Sequence, residues 1–563
     1  MGQFIIRISV LVFYFVCILC CGCSKVEQDT VVDIPEEDPV LQCYQLDPLQ
    51  KVFQEDRVFI ENDVVAEVAR GETASFQFVL TTNVDVMNCT VTAEPLSDGV
   101  NTLDPALKAF VDYVLAGKHL TPVSKDALLP ASDYYPDCLE EVDSRDIEAH
   151  YNQPVYVEYD IPSELPAGEY TASVIISGMA GGEEFSFRKQ IRAKVYDVTV
   201  PEQTLWITNW HDHTALSYMN NGGRVEPFSD RYWQLLTEMA HIMKKHRQNM
   251  YFIEPLLDFV ECNLNDGQYE FDFSNFDKTV QLFIDEGGLK RIEGAQLAHR
   301  VSDWDSDYGI YVPNMANLML LSSSEAQIFL SQFIPALYAH LEEKGWKDIY
   351  FQHIGDEPSE GNVSSYIEIS EFVKRLAPSM KIIEAVHSHN LDGVVDVWVP
   401  QLDYFDQNYD FYKGRQSIGD EMWFYTCMAP RGNYANRFLE LPLVQTRILH
   451  WINFKYGATG YLHWGFNQDW KETLSNIATD GYVPGGDTYI VYPAYGKVYG
   501  SIRLAAMRDG IADYELLKLL ESQNPDEAKD IAGSIVMDFD SYNSNIDNFR
   551  RIRTRLLSAL EKL

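Results

Sequence analysis

Beyond Pro201 the chain alternates short apolar segments with longer stretches of helical periodicity, and this restricts the possible folds more than any other feature. Eight segments read as strands: LWITNW (205–210), NMYFIEP (249–255), RIEGAQL (291–297), IYFQHIG (349–355), KIIEAVHS (381–388), VDVWVP (395–400), MWFYTC (422–427) and GYLHWGF (460–466). Between the third and fourth, SSSEAQIFLSQFIPALYAHLEEKG opens with the capping-box spacing Ser322 to Glu325 and carries Leu330, Ile334, Leu337 and Leu341 along one face, which predicts a core-facing helix. Strands alternating with helices imply a parallel sheet wrapped by helices. Eight such units predict a (β/α)8 barrel over residues 201–520; no glycine-rich dinucleotide fingerprint follows the first strand, as an open nucleotide-binding sheet would require. Residues 521–563 continue in helical period and are expected to form a C-terminal helical extension.

The preceding region, 41–200, has period two instead. In TASFQFVLT, Ala74, Phe76, Phe78 and Leu80 alternate with Ser75, Gln77 and Val79, and VYVEYDI and YTASVIIS behave alike. Turn signals such as ARGE, LPAGE and GMAGGEE separate these runs, so half-buried strands assembled into a β-sandwich are expected. Its strands show no clustered exposed aromatics, which favours a buttress for the barrel over a ligand-binding module.

The N-terminus, MGQFIIRISVLVFYFVCILCCGCSK, has one early cation, Arg7, an apolar stretch from Ile8 to Cys21 and a small-residue end. It reads as a signal peptide over 1–23 and resembles a bacterial lipoprotein signal, with Gly22 before a lipidated Cys23. Residues 24–40, polar, acidic and carrying two prolines, read as a flexible tether. A lipid-anchored place in a bacterial cell envelope is the expectation. Five cysteines follow Cys23, odd in number and widely spaced, and form neither a disulfide framework nor a metal-binding pattern.

The 563 residues hold 44 Lys and Arg against 84 Asp and Glu, a net charge of −40. That balance argues against nucleic acid, anionic membrane surfaces and polyanionic substrates, and for a neutral ligand. No metal and no cofactor is called for.

Barrel enzymes do their chemistry at the C-terminal ends of the strands. The fourth strand ends in Asp356 and Glu357, two adjacent acids framed by Gly355 and Pro358. Neighbouring carboxylates repel unless each has its own partner or task. Around them the other strand ends supply Asn209, Trp210, His211, Glu254, His299, Arg300, His387, Gln401, Tyr425, Trp464 and Asn467, with His353 just before the pair. Aromatic faces stack on the C–H faces of sugars, and amides and histidines bind hydroxyls, so a carbohydrate pocket is predicted, with Asn209, His353, His387, Tyr425, Trp464 and Asn467 as its binding residues.

A retaining glycosidase with two catalytic carboxylates needs a nucleophile about 5 Å from its acid, and an inverting one needs a base about 6.5–9.5 Å away. FYTCMAP, at the end of the seventh strand, offers no carboxylate, and Glu421 lies at that strand's other end. Attack by the substrate's own 2-acetamido oxygen removes the need for a protein nucleophile. Glu357 would then be acid and base, and Asp356 would hold the acetamido N–H and the positive charge of the intermediate.

The segments HIGDEP, YTCMAPRGNYANRFLELPLVQTRILHWINFKYGATGYLHWGFNQDW and VYPAYGKVYGSIRLAAMRDGIADYELL resemble glycoside hydrolase family 123, as do RGETASFQFVL and PVYVEYDIPSELPAGEYTASV in the sandwich region. The resemblance implies a sandwich followed by a catalytic barrel, retaining substrate-assisted hydrolysis of terminal β-linked N-acetylgalactosamine, and the roles above for Asp356 and Glu357. Two other readings stay open: a glycosidase of different specificity, and a non-catalytic surface glycan-binding lipoprotein.

Overall fold

The computed structural model describes residues 40–61, 64–115, 132–468, 470 and 483–563. The signal peptide, Cys23 and residues 24–39 of the tether lie outside the described residues.

Two antiparallel sheets form the N-terminal sandwich. One has the order Leu41–Leu46, Thr73–Thr82, Asn152–Asp160, Leu107–Leu115, Tyr134–Glu140; the other runs Val65–Arg70, Glu183–Thr199, Gly168–Ala180, Val86–Ala93, Ser144–Ile147, with only Val65–Arg70 parallel to its neighbour. Gly181 and Gly182, at φ +58° and +89°, make the two-residue turn between the longest strands, a conformation that glycine adopts without steric cost. Ala74, Phe76, Phe78 and Leu80 point into the inter-sheet core. The opposite face of that strand is also covered, contrary to a half-buried expectation. Gln77 is 1% exposed and donates to the Asp47 and Gln50 carbonyls, because residues 47–52 and the C-terminal helices lie over this sheet.

All eight expected strands form: β1 (Trp206–Asn209), β2 (Met250–Ile253), β3 (Arg291–Gly294), β4 (Tyr350–Gln352), β5 (Lys381–Val386), β6 (Val397–Pro400), β7 (Glu421–Tyr425) and β8 (Gly460–His463). They pair in parallel in the order β1-β8-β7-β6-β5-β4-β3-β2. Between β1 and β2 the ring is closed mainly by side chains. Ile207 N donates to Asn249 Oδ1 (2.9 Å), Asn249 Nδ2 donates to the Leu205 carbonyl (3.0 Å), and the Asn209 and Gln248 amides bond each other (3.1 Å).

Helices α1 (Asp230–Lys245), α2 (Ser274–Asp285), α3 (Ser324–Lys344), α4 (Val363–Leu376), the short pair α5 (Leu402–Gln407) and α6 (Tyr409–Ser417), α7 (Leu443–Tyr456) and α8 (Ile502–Gln523) surround the barrel. One unit departs from the strand–helix count: β5 and β6 are joined by a loop without a helix. In α3 the residues Leu330, Ile334, Leu337 and Leu341 are buried as expected, but the cap is Ser323, whose Oγ accepts from Ala326 N, one residue later than the spacing suggested. Helices α9 (Pro525–Ile535) and α10 (Ile546–Leu560) form the C-terminal extension.

Sandwich and barrel share a buried ionic seam. Arg503 on α8 binds Asp137 (2.8 Å), Arg508 binds Glu158 (2.9 Å), and Arg553 on α10 reaches both Glu72 and Asp513, the latter also held by Arg447 (2.7 Å).

Candidate active site

Strand β4 stops at Gln352, and the next six residues are held from below by a buried polar column. His353 is fully buried, with Nδ1 2.7 Å from Glu384 Oε1 and Nε2 2.7 Å from Glu293 Oε1. Burial works against its charge, but the two carboxylates outweigh it and raise its pKa to about 10, so it is an imidazolium between Glu384 and Glu293. Glu293 also accepts from Thr208 (2.6 Å) and the Trp210 indole (2.8 Å). Glu384 accepts from the backbone N–H groups of Ile354 (2.8 Å) and Gly355 (3.0 Å) and from Tyr366 (3.1 Å). The start of the loop is thereby fixed.

Its continuation is fixed from the side. The Tyr308 ring lies against Gly355 so closely that a Cβ there would stand 2.6 Å from the ring, and the Tyr308 hydroxyl donates to the Asp356 carbonyl (2.6 Å). That contact is why glycine precedes the two acids. Glu357 adopts φ +51°, a left-handed conformation costly for a side chain of this size and kept only when the surroundings impose it. They do: Glu357 N donates to the Ala385 carbonyl (3.1 Å), and Arg300 donates to the Glu357 carbonyl (2.7 Å).

The two carboxyls meet different partners. Tyr425 donates to Glu357 Oε1, and His387 Nε2 lies 2.7 Å from the Tyr425 hydroxyl and 3.4 Å from the same carboxylate oxygen. Since the phenol proton goes to Glu357, His387 Nε2–H is the donor to Tyr425. Burial alone would raise the Glu357 pKa, but the hydrogen bond and charge of His387, with Tyr425 and Arg300, bring it below the usual value. Asp356 is driven well above its usual range, by burial first and then by the charge of Glu357. The two acids are thus pushed in opposite directions, Asp356 toward its protonated form and Glu357 toward its charged form.

Both acids open into a cavity of about 570 Å³ walled by Trp210, Glu254, Tyr425, Cys427, Leu462 and Trp464, among others. Trp464 is oriented by its indole N–H, which donates to Asp487 (3.1 Å). Burial pushes Asp487 up to about 7; burial together with the charge of Asp212 does the same to Glu254. At the rim Trp304 is 48% exposed, edge-on to His387 at 5.9 Å and under the Arg300 guanidinium at 3.9 Å.

Of the residues predicted from sequence, Asp356, Glu357, His387, Tyr425 and Trp464 come together. Three binding assignments require correction. His353 has both ring nitrogens committed to carboxylates. Asn209 Oδ1 accepts from Arg437 (2.7 Å) and Asn209 Nδ2 donates to Gln248 Oε1, so the side chain closes the barrel. Asn467 is fully buried and clasps the Asp212 backbone from both sides, accepting from its N–H (2.8 Å) and donating to its carbonyl (2.9 Å). Glu293, Glu384, Tyr308, Trp304 and Asp487 were not picked out. For the first two a signal existed: RIEGAQL and KIIEAVHS each carry one carboxylate in an otherwise apolar run, a charge a strand buries only with a partner.

A β-sandwich followed by a barrel whose strand ends gather carboxylates around an aromatic cleft defines a glycoside hydrolase. The family is also defined. The catalytic-domain model of glycoside hydrolase 123 matches residues 210–520 and the glycoside hydrolase 123 N-terminal domain model matches 54–178, so the chain belongs to glycoside hydrolase family 123 and its substrate is a carbohydrate. Among solved structures, a family 123 glycoside hydrolase from Clostridium perfringens, described for glycolipid glycan hydrolysis, superposes with a TM-score of 0.71 at 18% identity, covering 93% of this chain and 97% of that one. A Parabacteroides merdae β-glucuronidase (TM-score 0.29, 9% identity, 80% and 51% covered) and a family 20 exo-β-N-acetylglucosaminidase from Vibrio harveyi (0.28, 9%, 87% and 99%) are too distant to support an argument. A comparison with curated proteins gives no match.

Proposed function

We propose that the protein is a retaining exo-glycosidase that removes terminal β-linked N-acetylgalactosamine, with the substrate's acetamido oxygen as nucleophile. The observation that carries this is the adjacent pair itself: Glu357, bonded by Tyr425 and facing His387, opens beside Asp356 into an aromatic pocket to which the described residues add one further carboxyl, Glu254, which burial raises to about 7 and so leaves largely uncharged below neutrality. A neutral carboxyl is a poor nucleophile. When the acetamido N–H donates to Asp356, the carboxylate form of Asp356 is favoured and the proton passes to Glu357, where it is needed. Glu357 then protonates the glycosidic oxygen as the C1–O bond breaks and the acetamido oxygen bonds to C1, giving an oxazolinium. Water adds to C1 as the C1–O bond to the acetamido oxygen breaks and Glu357 takes the water's proton, which restores the acetamido group, and two inversions give net retention. Trp464 supplies an aromatic face for the ring, and the exposed Trp304 beside His387 supplies one for the leaving group.

Family membership and the resemblance to N-acetylgalactosaminidases support the sugar. The glycolipid glycans handled by the Clostridium perfringens relative suggest a glycan head group as natural substrate. The signal-like first 23 residues support a lipid anchor in a bacterial envelope. A second reading, a glycosidase with Glu254 as nucleophile, rests on Glu254 lining the same cavity.

Hydrolysis of aryl β-glycosides of N-acetylgalactosamine, N-acetylglucosamine and galactose separates these readings. The proposal expects turnover of the acetamido sugars alone, N-acetylgalactosamine best, with inhibition by a thiazoline mimic of the intermediate. Asp356→Asn should lower kcat by about 10²- to 10⁴-fold on every substrate, and Glu357→Gln by a similar factor only where the leaving group is poor. Turnover of the galactoside, abolished by Glu254→Gln, would establish the second reading instead.

A further inference from the structure

The catalytic cavity continues sideways. Across Glu254 and Gln468, which line both spaces, it adjoins a second cavity of about 470 Å³ at the C-terminal ends of β1, β2 and β3. Together the two spaces exceed what one pyranose fills. In the wall of the second, His211 and His213 are buried, each 6% exposed, yet His211 Nδ1 and His213 Nε2 have no hydrogen-bond partner among the described residues. Neither nitrogen has accessible surface as the side chains stand, and since an unpartnered buried polar atom is costly, a ring rotation that brings it to a ligand or water in the cavity is favoured. The remaining wall is largely apolar, with Leu257, Val312 and Phe329, and with Tyr311 edge-on to His299 at 4.9 Å. Apolar and aromatic surface interrupted by a few ring nitrogens complements a sugar ring, which presents C–H patches between hydroxyls.

Charge and position narrow the occupant. Among the described residues no lysine or arginine lines the second cavity, whereas Asp212, Glu254 and Asp258 do, so a sulfated or carboxylated sugar is disfavoured. The leaving group must contact Glu357, which protonates the scissile oxygen, but neither Asp356 nor Glu357 borders this space. Its occupant is therefore not the group bonded to the scissile oxygen, and because Trp304, the aromatic face assigned to the leaving group beside His387, does not border this space either, attachment on the non-reducing side of the sugar in the catalytic pocket is favoured.

We propose that the second cavity is a further glycone subsite for a neutral pyranose, so that besides terminal N-acetylgalactosamine the enzyme accepts one that carries a further sugar on its non-reducing side and releases the pair as a disaccharide. This rests on the glycosidase reading of the catalytic pocket. One C1–O bond is broken by one water, as for the monosaccharide.

Binding separates the two ideas. Glu357→Gln protein is titrated by calorimetry with N-acetylgalactosamine and with its O3-, O4- and O6-galactosylated disaccharides. At least one disaccharide should bind about tenfold tighter than the monosaccharide. Leu257→Trp, which fills the cavity, should abolish that advantage without changing monosaccharide affinity. His213→Phe, which keeps the shape and removes the nitrogen, should reduce it severalfold. If no disaccharide exceeds the monosaccharide, or if both variants retain the full advantage, the subsite is overturned, while monosaccharide binding leaves the catalytic reading intact. If none of the four sugars binds and no aryl glycoside is turned over, both ideas fall.

Discussion

Along the seam between sandwich and barrel, buried carboxylates meet guanidinium groups: Asp137 with Arg503, Glu158 with Arg508, Asp47 with Arg550, and Asp513 with both Arg447 and Arg553. In the catalytic pocket Glu357 meets a phenol and an imidazole, and behind the pocket wall Asp487 meets the Trp464 indole, with the His463 ring 3.4 Å away. The pKa values follow the partners. Burial opposes ionisation of Asp513, yet Arg447 and Arg553 hold it at about 2, while burial without a guanidinium contact sends Glu254 and Asp487 to about 7. The same residue type is a fixed charge in one region and an exchangeable proton in the other. An acid–base enzyme needs both: a rigid frame whose charges do not titrate near neutrality, and a cleft whose charges do.

The largest test of this contrast removes one partner from the seam. Asp137→Ala leaves Arg503 buried and uncompensated and should cost about 3–5 kcal/mol of stability, read from urea unfolding. Replacing both, Asp137→Leu with Arg503→Met, should cost much less, because the penalty lies in the orphaned charge. Equal losses for the single and double variants would show that the seam contributes packing rather than paired charge.

Next in size is the pH dependence of stability, where the two regions act with opposite sign. Asp513 has a depressed pKa, so its contribution is complete above about pH 4, the unfolded value, and is lost as pH falls through about 2. Asp487 has a raised pKa: between about pH 4 and about 7 the folded protein keeps a proton that the unfolded chain has released, so stability falls as pH rises through that window. Asp487→Asn, which still accepts from the Trp464 indole, should therefore gain stability relative to the native protein at pH 8 and not at pH 4. Denaturant midpoints at the two values would show it, and a gain of the same size at both would refute the assignment.

How much of this is legible in the sequence depends on which dihedral decides the outcome. All eight strands are legible because each is a short apolar run closed by polar residues, and the Gly181–Gly182 turn because its glycines sit between alternating strands. The missing helix between β5 and β6 was readable too, from the few residues separating KIIEAVHS from VDVWVP, but counting eight strands concealed it. Asp356 and Glu357 stand out by adjacency at a strand end. Asn209, His353 and Asn467 mislead because a strand end shows that a side chain is near the pocket without showing which way it points, and one residue of register decides that. Trp304 and Tyr308 escape for another reason. They come from the long connection after β3, which folds into its own small sheet (Ala298–Arg300, Tyr308–Ile310, Met319–Leu320) before reaching β4, and no periodicity announces it.

The smallest effect is the most specific to the pocket. Tyr425 donates to Glu357 and so favours its charged form, and Tyr425→Phe removes that donor without removing the ring. In the substrate complex, where the proton is on Glu357, Glu357 should then keep it to higher pH. Since the acid form of Glu357 is required for attack, the alkaline limb of the kcat profile, which reports the substrate complex, should move upward by about one pH unit, the equivalent of one charge-assisted hydrogen bond of modest strength. A change in substrate affinity alone would lower kcat/KM at every pH and leave the limb in place. A limb that does not move would mean that Tyr425 contacts the sugar without setting the protonation of Glu357, and a downward shift would reverse the sign argued here. The limb reports an apparent value of the coupled pair, so the same substitution in the Asp356→Asn background should move it by a different amount if the two carboxyls share one proton.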